Sequence, residues 1–180
     1  MGKIEMKITF PLDSDGFFRR ECPFCNREFK IMIEENEKRD LAQKQIESFM
    51  LNSESIAEDR EDIKVENERV CPYCEQKAPK TSWWTKEQSE YIKRYIKNCA
   101  NDLINEHFIK KLERTFAGSK SVTFKGKELP LEEPWISPET DDMEKFELPC
   151  CKQAIKIDEK WSGEVHCFFC GFPYDKNKPV

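Results

Sequence analysis

The cysteines are the feature of this sequence that most constrains its fold. Eight of the nine stand in four close pairs, which are Cys22 and Cys25, Cys71 and Cys74, Cys150 and Cys151, and Cys167 and Cys170. The first ten residues alternate charged and apolar side chains, unlike an export signal, so we expect a reducing compartment. Paired cysteines in such a compartment indicate metal ligands before disulfides. The pattern therefore predicts a cytoplasmic metalloprotein.

The composition explains why a metal would matter to this chain. Of its 180 residues, 36% are charged and 38% are hydrophobic, and the mean hydropathy is −0.79. Such a chain can bury only a thin core, and metal binding would contribute folding free energy that apolar burial does not supply. No apolar run approaches the roughly 20 residues that cross a bilayer, so we expect no association with a membrane.

The first predicted metal site combines Cys22, Cys25, Cys71 and Cys74. Each pair is a Cys-Pro-x-Cys motif, in which the proline helps to form a tight turn that directs both sulfurs to one side. Zinc prefers four soft ligands in a tetrahedron, and two such turns supply them. Residues 26–70 separate the pairs, 45 in all, whereas a compact site has roughly 15–20. The acidic segment at about 34–69 therefore indicates an insertion looped out of one zinc ribbon, at small entropic cost.

The second predicted site combines Cys150, Cys151, Cys167 and Cys170. Cys150 and Cys151 are adjacent, and consecutive side chains of an extended chain point in opposite directions. Both can reach one ion only if the backbone bends sharply, which Pro149 would favour. His166 is the alternative ligand in place of one of the adjacent cysteines, and that alternative stays open.

Both sites are expected to hold structural Zn2+, two ions per chain. Four thiolates close the coordination shell, whereas a catalytic zinc keeps one position open and usually has histidine or carboxylate ligands. Iron in a rubredoxin-like site of four thiolates is chemically allowed. The glycine that such turns place after the second cysteine is present at Gly171 but replaced at Asn26 and Glu75, which favours zinc.

The predicted fold is α+β, with two small antiparallel zinc ribbons joined by a long α-helix. Residues 1–84 form the N-terminal zinc ribbon, which includes the acidic insertion at about 34–69. A long basic helix and a short strand occupy 85–127, and an acidic, proline-rich linker occupies 128–142. The C-terminal zinc ribbon occupies 143–180, where strands again flank the cysteines.

Two helices are predicted from local signals. A weak apolar stripe through Leu41 and Ile46 predicts a helix near 37–51 within the insertion. The long helix begins after Thr85, because Thr85 and Gln88 match a capping box.

The apolar stripe of the long helix extends further than a small ribbon can cover. Apolar residues recur at spacings of three and four as far as Phe116, and roughly 30 helical residues span about 45 Å. Cys99 lies on this stripe and is expected to be a small buried side chain rather than a ninth ligand. Part of the stripe, at Ile104, Phe108 and Leu112, is therefore expected to contact a protein partner or a second copy of the chain.

A basic region suggests a different partner. The net charge of the chain is −5, but residues 70–127 carry twelve basic and six acidic side chains, a balance of +6. Within it, the basic helix region 80–127 could bind nucleic acid, with Trp83 and Trp84 stacking on bases. The interleaved cations would neutralise phosphates, and they are Lys86, Lys93, Arg94 and Lys97. Alternatively, one of the two tryptophans packs on the ribbon and fixes the start of the helix, and the cations form a solvated face.

Five runs of residues resemble small bacterial proteins that carry a transcription-factor-type zinc ribbon and have no other characterised property. These runs are FPLDSDGFFRRECPFC, CPYC, SWWTKEQ, ELPCC and HCFFCGFP, and together the resemblance covers most of the chain. The resemblance implies a zinc-binding fold and no particular activity, because such ribbons occur in polymerase subunits, transcription factors and adaptors.

The sequence therefore favours a non-enzymatic zinc-binding interaction module. A protein–protein adaptor is the first hypothesis, and a nucleic-acid-associated, transcription-factor-like protein is the second. No phosphate-binding loop, dinucleotide-binding motif or zinc-protease motif occurs in the sequence. His107 has no histidine partner apart from His166, so an enzyme is the third and least favoured hypothesis.

Overall fold

Short antiparallel strands and helices make up the part of the chain that a computed structural model describes, which is residues 8–53, 68–117 and 124–176. The strands are β1 (Phe17–Glu21), β2 (Glu28–Met32), β3 (Glu68–Val70), β4 (Lys77–Pro79), β5 (Glu144–Leu148), β6 (Gln153–Ile157), β7 (Glu164–His166) and β8 (Pro173–Asp175). The helices are α1 (Glu35–Ser53), a 3-10 turn (Lys80–Ser82), α2 (Lys86–Ile104), a π-helical turn (Asn105–Ile109) and α3 (Lys110–Phe116). The α+β class is confirmed.

Each cysteine pair lies at the tip of an antiparallel hairpin. The hairpins are β1–β2, β3–β4, β5–β6 and β7–β8, and every one of them places its cysteines in the connecting turn. The repeated unit of strand, cysteine pair and strand was predicted from the sequence and is present in both halves of the chain.

The two halves of the chain share one sheet. Strand β2 pairs with β6, so the order of the four-stranded sheet is β1-β2-β6-β5. The register places Lys30 opposite Lys156 and Ile31 opposite Ile155. Two ribbons joined by a long helix are therefore not confirmed, because the hairpins of the two halves are hydrogen-bonded directly to each other.

The first core fills the space between this sheet and the two short hairpins. Phe29 and Ile155 project from the sheet and are fully buried. Trp83 and Phe168 close the core from the other side, with Phe29 at ring-centroid distances of 5.9 and 5.2 Å from them. Three of the predicted ligands, Cys22, Cys71 and Cys167, lie at the margin of this core. Apolar burial and the cysteine clusters therefore support each other.

A second core contains the two helices. Leu41 and Ile46 of α1 are buried, which confirms the stripe predicted for the insertion helix. They share this core with Ile92 of α2 and with Trp84. The remainder of the insertion, residues 54–67, lies outside the described residues, as does almost all of the short strand predicted near 119–124.

The long helix begins where the sequence predicts. The Thr85 hydroxyl accepts a hydrogen bond from the Gln88 amide at 3.1 Å, and the Gln88 side chain accepts one from the Thr85 amide at 3.1 Å. This capping box satisfies two backbone donors at the helix start. Helical structure continues through the π-helical turn to Phe116. No helix in the described part of the chain combines the length and the apolar composition that crossing a bilayer requires.

The region predicted as a linker is irregular, but it is bound along the long helix. Asparagine side chains of the helix pair with its backbone much as a neighbouring strand would. Asn105 accepts from the Leu129 amide at 2.7 Å and donates to the Leu129 carbonyl at 2.9 Å. Asn98 makes the same two kinds of bond with Glu132. We call residues 128–142 the strap, because they connect the helix to the sheet.

The strap and one turn neutralise a row of cations on the polar face of the sheet. Strand pairing places Arg19, Lys30 and Lys156 side by side across β1, β2 and β6. Like charges directly opposite each other destabilise a sheet. Asp13, whose side chain is fully buried, lies 3.4 Å from the Lys30 ammonium and 2.8 Å from that of Lys156. The strap residue Asp142 lies 2.6 Å from Arg19 and 2.9 Å from Lys30.

These contacts lower the pKa of both carboxyl groups. Burial alone would raise the pKa of Asp13, but hydrogen bonds from Lys156 and from the Phe17 amide outweigh it. Partial burial of Asp142 is likewise outweighed by hydrogen bonds from Arg19 and Lys30, which lower its pKa to about 2. A carboxyl group whose pKa is depressed on folding stabilises the fold above its unfolded pKa, and that stability is lost as the pH falls through the folded value.

We expect Asp13→Asn to lower the free energy of unfolding at pH 7 by about 3 kcal/mol, because the change leaves Lys30 and Lys156 buried with one carboxylate fewer. Denaturant unfolding at pH 7, 5, 4 and 3 measures the difference between the two proteins. The difference should shrink as the pH falls below about 4, where Asp13 first becomes protonated in the unfolded chain, and it should be lost as the pH falls through the lowered pKa of Asp13 in the folded protein. Asp15→Asn is the matched control, since Asp15 also contacts Lys156 but is exposed. Equal stability of the unmodified and Asp13→Asn proteins at pH 7 would contradict this account.

Candidate metal centres

Three of the four hairpin tips have the same hydrogen bonds. The residue after the second cysteine donates its amide to the carbonyl of the first cysteine. The donor and acceptor pairs are Asn26 and Cys22 at 3.0 Å, Glu75 and Cys71 at 3.2 Å, and Gly171 and Cys167 at 2.8 Å. The first cysteine of each pair donates its own amide across the turn to the residue five positions later. Such turns place both sulfurs on one side of the backbone.

A left-handed backbone conformation follows the second cysteine in all four tips. The φ angles are 55° at Asn26, 62° at Glu75, 52° at Lys152 and 79° at Gly171. Glycine adopts this conformation without a steric cost, and asparagine tolerates it better than most residues. The lack of glycine at Asn26 and Glu75 therefore does not indicate a different turn. The absence of glycine at Asn26 and Glu75 therefore does not favour zinc over iron, contrary to the expectation from the sequence.

The first centre brings together the four thiols predicted for it. The sulfur of Cys22 lies 3.7 Å from that of Cys74, and the sulfur of Cys25 lies 3.8 Å from that of Cys71. All four sulfurs are within 4.8 Å of one another. Four sulfurs at about 2.3 Å from a tetrahedral zinc are about 3.8 Å apart, so the donor set has the dimensions of a metal site.

The second centre brings together Cys150, Cys151, Cys167 and Cys170. The sulfurs of Cys151 and Cys167 are 3.7 Å apart, and those of Cys150 and Cys170 are 3.4 Å apart. All four are again within 4.8 Å of one another.

The sharp bend that the adjacent cysteines require is present. The Cys151 amide donates to the Leu148 carbonyl at 3.2 Å, and the left-handed Lys152 follows. The hydroxyl group of Tyr174 accepts a hydrogen bond from the Cys150 amide at 2.9 Å. The contribution of Tyr174 was not predicted, because it depends on the pairing of the β7–β8 hairpin with the turn after β5.

The alternative ligand His166 is not part of either four-thiol group. Its side chain is buried, and its Nε2 atom lies 3.9 Å from a carboxylate oxygen of Glu75. Its backbone amide donates to the Pro72 carbonyl at 2.9 Å, while the Val70 amide donates to the Phe168 carbonyl at 3.1 Å. These two bonds join the β3–β4 and β7–β8 hairpins. His166 therefore contributes to the contact between the two centres. Cys99 is half-buried on α2 and also lies outside both groups.

Deprotonation is disfavoured at four of the eight thiols of the two centres. Burial raises the pKa of Cys22 and of Cys151 to about 11. Burial also raises the pKa of Cys71 and Cys167. For Cys74, burial acts in the same direction, but hydrogen bonds from the Gln76 amide and from neighbouring thiols outweigh it and lower the pKa. A bound metal cation reverses the cost of deprotonation, because thiolates are the form that coordinates.

We expect Glu75→Gly to stabilise the protein by about 0.5 to 1 kcal/mol, because glycine removes the left-handed strain at Glu75 and loses some of that gain to chain entropy. Gly171→Ala should destabilise it by about 1 to 2 kcal/mol, since its added Cβ is strained and lies 3.2 Å from Val70. Asn26→Gly is the matched control and should change little. Thermal unfolding of the metal-loaded proteins measures all three, and the opposite order of Glu75→Gly and Gly171→Ala would contradict the shared turn geometry.

Comparison of the chain with protein-family models, with curated proteins and with solved structures finds no match. The resemblance to zinc-ribbon proteins therefore stays a prediction. What the structure shows is that two groups of four cysteines could each hold a metal ion.

Proposed function

We propose that both four-cysteine centres bind structural zinc. The support is the donor set, since four thiolates with sulfur separations of 3.4 to 3.8 Å come close to the separation of about 3.8 Å in a tetrahedral zinc site and leave no coordination position open. We also propose a reducing compartment such as the cytoplasm, because paired cysteines can serve as metal ligands only while they are reduced. Iron remains chemically compatible with four thiolates, so metal analysis decides between the two.

We also propose that the protein is a non-enzymatic interaction module of the zinc-ribbon type, acting as a protein–protein adaptor. Closed coordination shells favour a structural role for both ions. The long helix supplies the contact surface, because three of its large apolar side chains are exposed to solvent. They are Leu103 at 38%, Ile104 at 43% and Phe108 at 64% exposure. Ile104 and Phe108 are two of the positions at which the sequence predicted a partner contact.

The alternative, nucleic-acid association through residues 80–127, has weaker support. Trp83 and Trp84 are both buried, one in each core, so they do not offer faces to bases. The packing alternative expected this of one tryptophan only. The ammonium of Lys93 lies 2.8 Å from Glu90, and that of Lys97 lies 2.8 Å from Glu132. These pairs reduce the positive potential that phosphate binding requires.

Native mass spectrometry of the purified protein should show two zinc ions per chain, and Cys71→Ser should retain one. Because Cys71 lies in the first core, to which both halves of the chain contribute, the loss of this ion should also lower the midpoint of thermal unfolding of the protein, which circular dichroism would detect. Cys99→Ser is the control and should keep two ions, since Cys99 is outside both centres. Iron in the protein, or cysteines already joined as disulfides, would contradict the zinc assignment.

Changing Ile104 and Phe108 to glutamine should abolish the binding of a protein partner or the self-association of the chain, with little effect on stability because both side chains are exposed. Sedimentation equilibrium measures self-association, and titration with the purified partner protein measures the affinity for that partner.

Reversing the charge of Lys93, Arg94 and Lys97 is the contrasting change. It should leave protein binding intact, whereas loss of a salt-sensitive affinity for single-stranded nucleic acid would favour the alternative. If neither change alters any binding, both hypotheses are wrong.

A further inference from the structure

The two centres differ in the solvent exposure of their cysteine residues. In the first centre, Cys22 and Cys71 are buried, and Cys25 and Cys74 are half-buried. In the second centre, Cys150 and Cys170 are both exposed. Two cysteine residues of the second centre are therefore exposed, whereas every cysteine residue of the first centre is buried or half-buried.

The exposed thiols of the second centre are also close to each other. The sulfur of Cys150 lies 3.4 Å from that of Cys170, whereas the corresponding contacts of the first centre are 3.7 and 3.8 Å and involve the fully buried Cys22 and Cys71. Cys25 and Cys74 are partly buried and pack against the first core, whereas Cys150 and Cys170 are exposed. If one of these two cysteines is oxidised, the thiol of the other is therefore close enough to react with it.

We propose that Cys150 and Cys170 form an oxidation site at which hydrogen peroxide closes a disulfide and opens the second centre, while the first centre stays intact. The inference rests on the proposed function, because it requires that both centres hold zinc while their cysteines are reduced. It adds a modification site and a difference in role: the first centre is permanent and the second is reversible.

The chemistry is a two-electron oxidation. The Cys170 thiolate attacks one oxygen of hydrogen peroxide, the O–O bond breaks, and the products are a sulfenic acid and hydroxide, which takes up a proton to become water. The Cys150 thiolate then attacks the sulfenic sulfur, forming the S–S bond and expelling a second hydroxide, which is also protonated. Two thiolates, one peroxide and two protons give one disulfide and two waters. The two cysteines are interchangeable in this scheme.

The expected structural result is local loosening of the second centre. Oxidation leaves Cys151 and Cys167 as its two remaining ligands, and two thiolates do not complete a zinc shell. Strand β6 still pairs with β2, and Phe168 still packs on Phe29 at a ring-centroid distance of 5.2 Å. The four-stranded sheet and the first core therefore persist, whereas the turn after β5 and the tip of the β7–β8 hairpin lose their shared ion. A reductant with zinc should reverse the change.

The test uses the zinc-loaded protein with Cys99→Ser, which removes the one thiol outside the centres. Metal content is measured first, so that a protein without two zinc ions counts against the proposed function and not against this inference. An excess of hydrogen peroxide over protein is then added, the release of zinc is followed with a chromogenic indicator, and the cysteines are mapped by alkylation and mass spectrometry after the first ion has been released.

We expect one zinc ion to be released per chain at least tenfold faster than the second, with a disulfide between Cys150 and Cys170. Cys22, Cys25, Cys71 and Cys74 should remain reduced, and circular dichroism should retain most of the helical signal. Dithiothreitol with added zinc should restore two ions. Release of both ions at the same rate, earlier release from the first centre, or retention of both ions would overturn the proposal.

Discussion

The pairing of β2 with β6 is the interaction on which the rest of the structure depends. It joins hairpins from the two ends of the chain into one sheet, and it sets Ile31 beside Ile155 on the face that the first core covers. The same register sets Lys30 beside Lys156 on the opposite face. Side chains alternate across a strand, so this one pairing has two results. It forms an apolar face whose burial favours folding, and it forms a row of buried cations whose repulsion opposes folding.

Carboxylates from two acidic segments neutralise the cations of the sheet. Asp13 from the turn before β1 and Asp142 from the strap contact the cations of the sheet at 2.6 to 3.4 Å. The strap reaches this position because Asn98 and Asn105 hold it along the long helix. The negative charge that looks like a solvated linker in the sequence is therefore part of the packing between the sheet and the helix.

The two cysteine clusters stabilise the opposite side of the sheet, where the short hairpins would otherwise have little to hold them. Strands of three residues with few apolar side chains are marginal alone. Cys71 and Cys167 tie these hairpins to the first core, and the backbone bond between His166 and Pro72 ties them to each other. The clusters nevertheless differ, since one is enclosed and the other faces solvent, and this difference suggests one permanent and one reversible centre.

Local features of the chain were determined by the sequence alone. Capping at Thr85, the apolar stripe of α1 and the strands that flank each cysteine pair depend on neighbours within a few residues, so periodicity and turn chemistry predict them. The grouping of the eight paired cysteines was also predicted, because ligand number and spacing leave few combinations. Only the tertiary structure decided that the two hairpin systems share a sheet, that residues 128–142 are a strap, and that the cations of the sheet are buried. These depend on contacts between residues from 17 to 143 positions apart, for which a single sequence contains no local signal.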